Sequence, residues 1–220
     1  MMTNLFSTFD PATSINTSMN WISSFSFMLT MPVTFWMMPN RINTLMLNIT
    51  MKMYNEFKML MNKNSMGMKL MMISVFFLIL INNMLGLMPY VFTSTSHLTF
   101  TLSMALPMWL TLMLFGWINK TNDMLAHMIP TGTPNMLMPF MVIIETISNM
   151  IRPGSLAVRL TANMIAGHLL MSLLGSNTTS SMMPIIMIIQ IVLMLFEAAV
   201  AMIQAYVFSV LSTLYSSEIM

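Results

Sequence analysis

The sequence predicts an all-α integral membrane protein with five membrane-spanning helices and one amphipathic helix on the membrane surface. Only 6% of its 220 residues are charged and 57% are hydrophobic, whereas soluble domains carry about 25% charged residues. The apolar residues form runs that are long enough to cross about 30 Å of hydrocarbon. We expect residues 1–220 to form a single membrane domain, with spans at about 19–38, 70–90, 99–118, 138–174 and 185–215.

The composition excludes several classes of protein. The net charge of +2 is small and the basic residues are scattered, so nucleic acid is not an expected partner. The absence of Cys excludes a disulfide framework and a cysteine metal site. The 35 Met residues fit soft packing, but we favour a mitochondrial code that reads an Ile codon as Met. No Lys or Arg precedes Arg41, so the chain has no ordinary Arg-rich transit peptide.

The first span and the segment after it differ in polarity. Trp21 and Trp36 lie near the two ends of span 19–38, as membrane-interface residues do, and Pro32 is a site for a kink. In the next segment Lys and Asn interleave with apolar residues at helical spacing, which predicts an amphipathic surface helix over about 42–64. The alternative interpretation is a basic loop. The apolar positions are Leu45, Ile49, Met53, Phe57, Leu60 and Met61.

The basic residues predict the orientation of the chain. Segment 41–69 is rich in Lys and segment 120–137 contains Lys120, whereas the other two connections and the N-terminal segment contain no basic residue. Basic residues accumulate on the inner side of a membrane. We therefore expect both segments and the C-terminus on the positive side, which is the matrix in a mitochondrion, and the N-terminus in the intermembrane space.

The stretch 138–174 organises the rest of the chain, because its centre holds a charge. An Arg at the middle of a membrane helix costs about 2.5–3.5 kcal/mol on insertion scales, and such residues usually serve a function. Arg159 lies too deep to reach either surface easily. Three further polar side chains share its helical face, whereas His168 lies half a turn away. The residues on the shared face are Glu145, Arg152, Arg159 and Asn163.

The last two spans are too long to stand upright in a membrane. As helices they would measure about 55 and 46 Å, so we expect a strongly tilted antiparallel hairpin, with Pro153 as a kink site. A hairpin folded near residues 179–180 brings Glu197 level with about residue 162. It also brings Gln204 within reach of Arg159, and Glu218 back to the end that holds Glu145.

Titratable groups therefore lie on both sides of one central Arg. His168 and Glu197 can relay protons on the outer side, and Glu145 and Glu218 can do so on the matrix side. A fixed cation between them interrupts a continuous proton wire and favours the anionic form of a nearby carboxylate. This arrangement predicts two half-channels that meet through a moving carboxylate on another subunit.

Four motifs resemble the mitochondrial ATP synthase a-subunit family, and the Met content and the TSTSHL loop resemble its arthropod members. The resemblance extends over nearly the whole chain and is most specific around Arg159. It implies a proton-translocating membrane (Fo) subunit in which Arg159 faces the carboxylates of a rotating c-ring. It also implies contacts with other Fo and peripheral-stalk subunits and with lipids. By position, Glu145, Asn163, His168, Glu197 and Gln204 match the proton path, and Glu218 matches less closely. The motifs are NNMLGLMPY (82–90), VIIETIS (142–148), LAVRLTANMIAGHLL (156–170) and EAAVAMIQAYVF (197–208).

Alternative interpretations stay open at single residues. Glu145 could be a structural carboxylate between helices and His168 a packing residue, and Arg152 is expected to pair with a lipid phosphate or a neighbouring subunit. A secondary transporter is disfavoured because the chain has no internal repeat. The alternative of a purely structural membrane subunit does not explain why Arg159 is flanked by acids and a His in one hairpin. The chain has no Walker-type nucleotide loop, so we expect no catalysis by this chain alone, no cofactor and no metal.

Overall fold

The computed structural model of the chain describes residues 5–32, 37–61, 66–129, 132–134, 136–176 and 183–219. Within these ranges the regular structure is helical and includes no strand. Short 3-10 helices lie at Leu5–Phe9, Met19–Phe25 and Ser94–Ser96. The α-helices are α1 (Ser26–Thr30), α2 (Arg41–Leu60), α3 (Met66–Gly86), α4 (Leu98–Asn119), α5 (Thr121–His127), α6 (Met138–Ser176) and α7 (Met183–Ile219).

Four helices in the described part, α3, α4, α6 and α7, are long and apolar enough to cross a membrane. The predicted all-helical membrane class therefore agrees with the structure. The fifth predicted span does not appear as a helix of this kind. The difference concerns the first segment of the chain, because α3, α4, α6 and α7 overlap the other four predicted spans.

The prediction of one continuous helix over 19–38 is wrong. The chain forms a 3-10 helix, then the five residues of α1, and becomes extended at Met31. The residue before a proline is restricted to extended conformations, so Pro32 ends the helix there. Ser24 and Ser26 also donate hydroxyl hydrogen bonds to backbone carbonyls three residues earlier, as serines inside the continuous helices do. Residues 33–36, including Trp36, lie outside the described residues.

The predicted amphipathic helix exists as α2, but it ends at Leu60 rather than 64. Met61 is extended, and residues 62–65 lie outside the described residues. Part of the apolar face of α2 packs on the protein, because Met53 and Phe57 are buried and α2 contacts α3 and α7. The hydroxyl of Tyr206 in α7 also donates to a carboxylate oxygen of Glu56 at 3.1 Å. The helix is therefore docked onto the bundle along the face that the periodicity predicts.

The centre of the bundle is the packing of α3 against α7. The buried face of α7 consists mainly of small side chains, which allow two helices to approach closely. Large apolar residues of α3, such as Met72 and Ile79, are fully or almost fully buried. Lys69, which the sequence groups with a basic surface segment, is also buried. The small buried residues of α7 are Ala201, Ala205, Ser209, Ser212, Thr213 and Ser216.

Helix α6 packs against both α4 and α7. Pro139 and Pro184 each occupy the second position of their helix, where a missing N–H costs no intrahelical hydrogen bond. Pro153 lies in the interior of α6 and is buried, and the helix continues through it. These long helices carry all the residues that the sequence selects as a candidate site.

Candidate functional site

Arg159 lies on the exposed side of α6. One face of the helix is buried in the bundle, and Arg159 points away from that face. Within the described ranges its guanidinium has no hydrogen bond or ion pair. The exposed residues beside it on the same face are small, namely Ser155, Ala162 and Ala166. The side chains next to this cation therefore leave room for another helix to approach it.

Arg152 is in a different environment, although it lies on the same helical face. Its Nη1 donates to Oε2 of Glu218 at 2.8 Å, and its Nη2 donates to Oε1 of Glu145 at 3.4 Å. Its Cζ also lies 5.0 Å from the centre of the Tyr215 ring, which is cation–π distance. The expectation that Arg152 pairs with a lipid phosphate or another subunit is wrong, because two acids of this chain bind it.

The carboxylate of Glu197 is packed against Gly167. A Cβ added to Gly167 would lie 2.6 Å from Cδ of Glu197 and 2.8 and 2.9 Å from its two oxygens. Both oxygens are buried and have no hydrogen-bond partner among the described residues. Only a glycine leaves space for the carboxylate here. Gly167 is therefore buried against α7.

His168 follows Gly167 in α6 and is partly buried. Its ring makes an edge-to-face contact with Phe9, with ring centres 6.2 Å apart. Its Nε2 is buried and has no partner in the part of the chain that the structure describes. Buried polar atoms are normally hydrogen-bonded to protein or to water. The contact with Phe9 shows that His168 contributes to packing, and its proton-relay role stays a prediction.

Two asparagines extend this group of buried polar atoms. Nδ2 of Asn83 donates to the carbonyl of Ala201, one turn after Glu197, at 3.5 Å. Nδ2 of Asn82 donates to the carbonyl of Ser24 at 3.3 Å. Oδ1 of each asparagine is buried and has no partner over the described ranges. The bond of Asn83 joins α3 to α7.

The contacts between α6 and α7 run in opposite order along the two helices. Arg152 near one end of α6 meets Glu218 near the end of α7, whereas Gly167 meets Glu197. The expectation that Glu197 lies level with residue 162 is about five residues off. Side chains on a helix lean towards its N-terminus, so Glu197 leans towards the later part of α6. Residues 177–182, which include the predicted turn, lie outside the described residues.

The structure brings some predicted site residues together and leaves others apart. Glu145 and Glu218 meet through Arg152, which the sequence interpretation left out of the site. Gln204 and Asn163 are partly buried, and neither forms a hydrogen bond to Arg159 among the described residues. The seven-residue spacing of Glu145 and Arg152 places both side chains on one helical face, and this feature of the sequence could have predicted their contact. No signal in the sequence pointed to the bond between Tyr206 and Glu56.

No group of three metal-ligating side chains occurs among the described residues. The polar atoms of the site are instead carboxylates, guanidinium groups, an imidazole and amides. Such groups in an apolar helix pair bind and transfer protons or orient charged partners.

These features define a helical membrane protein in which an exposed cation lies between a pair of ion-paired carboxylates and one buried carboxylate. The chain belongs to the ATP synthase A chain family, which its sequence matches over residues 11–217. It is 61% identical to ATP synthase subunit a of Locusta migratoria over the full length of both chains. It is also 59% identical to the subunits of the same name from Aedes aegypti and Drosophila melanogaster, again over the full length of each chain.

We predict that Gly167→Ala destabilises the assembled complex. The new methyl group would overlap the Glu197 carboxylate, and overpacking of this kind costs about 1–3 kcal/mol. The matched control is Gly154→Ala in the same helix, where an added Cβ meets nothing within 4 Å and the better helix propensity of Ala is favourable. Thermal denaturation of the purified complex measures both effects.

The double variant Gly167→Ala with Glu197→Asp tests the cause of this loss. Aspartate is one methylene shorter, so it withdraws the carboxylate from the new methyl group. We expect the double variant to be more stable than Gly167→Ala alone. Equal melting temperatures for Gly167→Ala and Gly154→Ala would contradict the packing of Glu197 on Gly167.

Proposed function

We propose that this chain is the proton-translocating a subunit of the membrane sector of an F-type ATP synthase. In this proposal two aqueous half-channels deliver protons to and from carboxylates of a rotating c-ring. Arg159 separates the half-channels and faces the ring. Proton flow is thereby coupled to rotation, and the ATP chemistry takes place on other subunits.

The observation that carries this proposal is the contrast between the two arginines of α6. Arg152 is bound by two carboxylates, whereas Arg159 is exposed and has no partner within the described part of the chain. A cation in hydrocarbon is costly unless an anion compensates it. A carboxylate supplied by another helix in the membrane would do so, and the small residues around Arg159 leave it room.

Two groups of polar residues support a separate path on each side of Arg159. Glu197 and His168 lie towards the end of α6 that leads into α7, with buried oxygens and a buried nitrogen that need a partner. Glu145 and Glu218 lie at the opposite end. We assign the first pair to the outer path and the second to the matrix path. Asn163 and Gln204 serve as polar neighbours of Arg159 between them.

The residues act in the following order during synthesis. A proton from the outer side passes through His168 and Glu197 to an ionised c-ring carboxylate, which becomes neutral and leaves Arg159. A ring carboxyl that arrives from the other direction gives its proton to Glu145 and Glu218. It then becomes an anion, which the guanidinium of Arg159 stabilises. Because Arg159 cannot release its own proton at physiological pH, it prevents direct leakage between the paths.

The contacts of the N-terminal segment support the proposed orientation in the mitochondrial inner membrane. Trp21 packs on Phe92 and His97 in the connection between α3 and α4. Later in the same segment, Met31 packs against the main hydrophobic core, and α2 begins at Arg41. Segment 19–38 would therefore cross the membrane without being one continuous helix. The N-terminus would lie in the intermembrane space, and α2 and the C-terminus on the matrix side.

Arg159→Lys tests the proposed role of the exposed cation. Lysine keeps the positive charge but loses the planar guanidinium that binds a carboxylate through two nitrogens. We expect the complex to assemble normally and proton-driven ATP synthesis to be lost. The measurements are native gel electrophoresis for assembly and ATP synthesis in liposomes with an imposed proton gradient. Normal synthesis by this variant would refute the proposal.

Single Cys substitutions test the two half-channels, and because the chain contains no natural Cys, each variant carries one thiol in this subunit. A Cys beside Glu197 or His168 should react with a water-soluble thiol reagent added from the outer side only. A Cys beside Glu145 should react from the matrix side only. Mass spectrometry of intact mitochondria and inverted vesicles measures the labelling. Labelling of both sets from one side, or of neither set, would exclude separate paths.

The lengths of α6 and α7 predict a strong tilt. Their 39 and 37 residues correspond to about 58 and 56 Å, so upright helices would extend far beyond about 30 Å of hydrocarbon. We expect both to lie more than about 40° from the membrane normal, outside the usual range. Helix α4, at about 33 Å, is the internal control and should show ordinary tilt. Cryo-electron microscopy of the complex in lipid measures all three angles, and two upright long helices would contradict this prediction.

A further inference from the structure

The ion-paired cluster of Glu145, Arg152, Tyr215 and Glu218 joins α6 to α7 at the ends remote from their connection. We propose that Arg152 is a positioning residue for the matrix-side path, which holds the carboxylates of Glu145 and Glu218 as one shared proton-exchange group. This inference rests on the proposed function, because it assigns a role to a residue beside the two proposed matrix-side carboxylates.

The geometry of the cluster requires a long, forked side chain. Glu145 lies two helical turns before Arg152, about 10.5 Å along the axis. Arg152 leans back towards Glu145 because side chains on a helix point to its N-terminus. One nitrogen then reaches Glu145 at 3.4 Å while the other reaches Glu218 at 2.8 Å. Only a guanidinium can bind two carboxylates with two separate nitrogens in a fixed plane.

The surroundings of Arg152 restrict it to this position. Its guanidinium lies over the Tyr215 ring, and a small cavity beside it is lined by residues of α4, α6 and α7. The titratable groups that face it are Glu145 from α6 and Glu218 and Tyr215 from α7. The residues that α4 contributes to the cavity cannot titrate. They are Ala105, Met108, Trp109 and Leu112.

The charges of the cluster suit alternating protonation. With both carboxylates ionised, the cluster carries one positive and two negative charges, so one negative charge is not compensated. A proton can therefore bind to either carboxylate while the other stays paired with Arg152. Without Arg152 the two acids would repel each other and would bind a proton more readily. Helices α6 and α7 would also lose the ion pair between Arg152 and Glu218 that joins them at this end.

Arg152→Gln tests the proposal in ATP synthase reconstituted in liposomes, where the pH on each side is set independently. Because the acids then release protons less readily, we expect synthesis to fall about tenfold at neutral matrix-side pH. Synthesis should recover as the matrix-side pH is raised. Its dependence on the outer-side pH should match that of the unchanged protein. A purely structural role for Arg152 would lower assembly or thermal stability without altering the matrix-side profile alone.

Arg152→Lys and Arg41→Gln complete the test. Lysine restores the charge but not the fork, so its matrix-side profile should lie between those of the unchanged protein and Arg152→Gln. Arg41→Gln removes an exposed charge at the start of α2 and should leave both profiles unchanged. If the complex with Arg152→Gln fails to assemble, the proposal is tested by Arg152→Lys alone. An unchanged matrix-side profile in that variant overturns the proposal.

Arg159→Lys in the same assay separates this proposal from the proposed function. If Arg159→Lys abolishes synthesis while Arg152→Gln leaves the matrix-side profile unchanged, only the role of Arg152 fails. If Arg159→Lys retains normal synthesis, the proposed function fails. The inference about Arg152 then fails with it.

Discussion

The cost of a charge in an apolar helix is the constraint on which this structure depends. Helix α6 carries two guanidinium groups two turns apart, and their environments differ. Arg152 is compensated within the chain by Glu145 and Glu218. Arg159 is left on an exposed face among small residues. Since an uncompensated cation in hydrocarbon is unfavourable, the isolated chain is incomplete at this point, and a partner that supplies an anion gains binding energy there.

The packing of the other helices follows from the need to keep these groups in place. The small residues on the buried face of α7 let α3 approach closely, and Asn83 of α3 then bonds the backbone beside Glu197. Because Gly167 has no side chain, the carboxylate of Glu197 occupies space that the Cβ of any other residue would fill. The proposed outer path is therefore organised by close packing around a buried carboxylate. The proposed matrix path is organised by an ion pair between two helices.

Sequence periodicity could predict those features that depend on a single helix. The shared face of Arg152, Arg159 and Asn163 follows from the helical repeat, and the excess length of α6 and α7 follows from their apolar runs. Features that depend on two segments could not be predicted in this way. Arg152 and Glu218 are 66 residues apart, and their contact depends on the register of two long helices. The break in the first span follows from Pro32, whose effect on the residue before it hydropathy does not register.

The register of α6 and α7 also decides which residues can cooperate. The contacts of Arg152 with Glu218 and of Gly167 with Glu197 pair residues whose numbers sum to 370 and 364. Gln204 lies between Glu197 and Glu218 in α7, so this register puts it level with about residues 160–166 of α6, just beyond Arg159. A shift of one residue turns a helix face by about 100° and would move Glu218 away from Arg152 and Glu197 away from Gly167 together. The ion pair of Arg152 with Glu218 and the packing of Glu197 on Gly167 therefore depend on one register of α6 and α7, and Arg159 lies between these two contacts along α6.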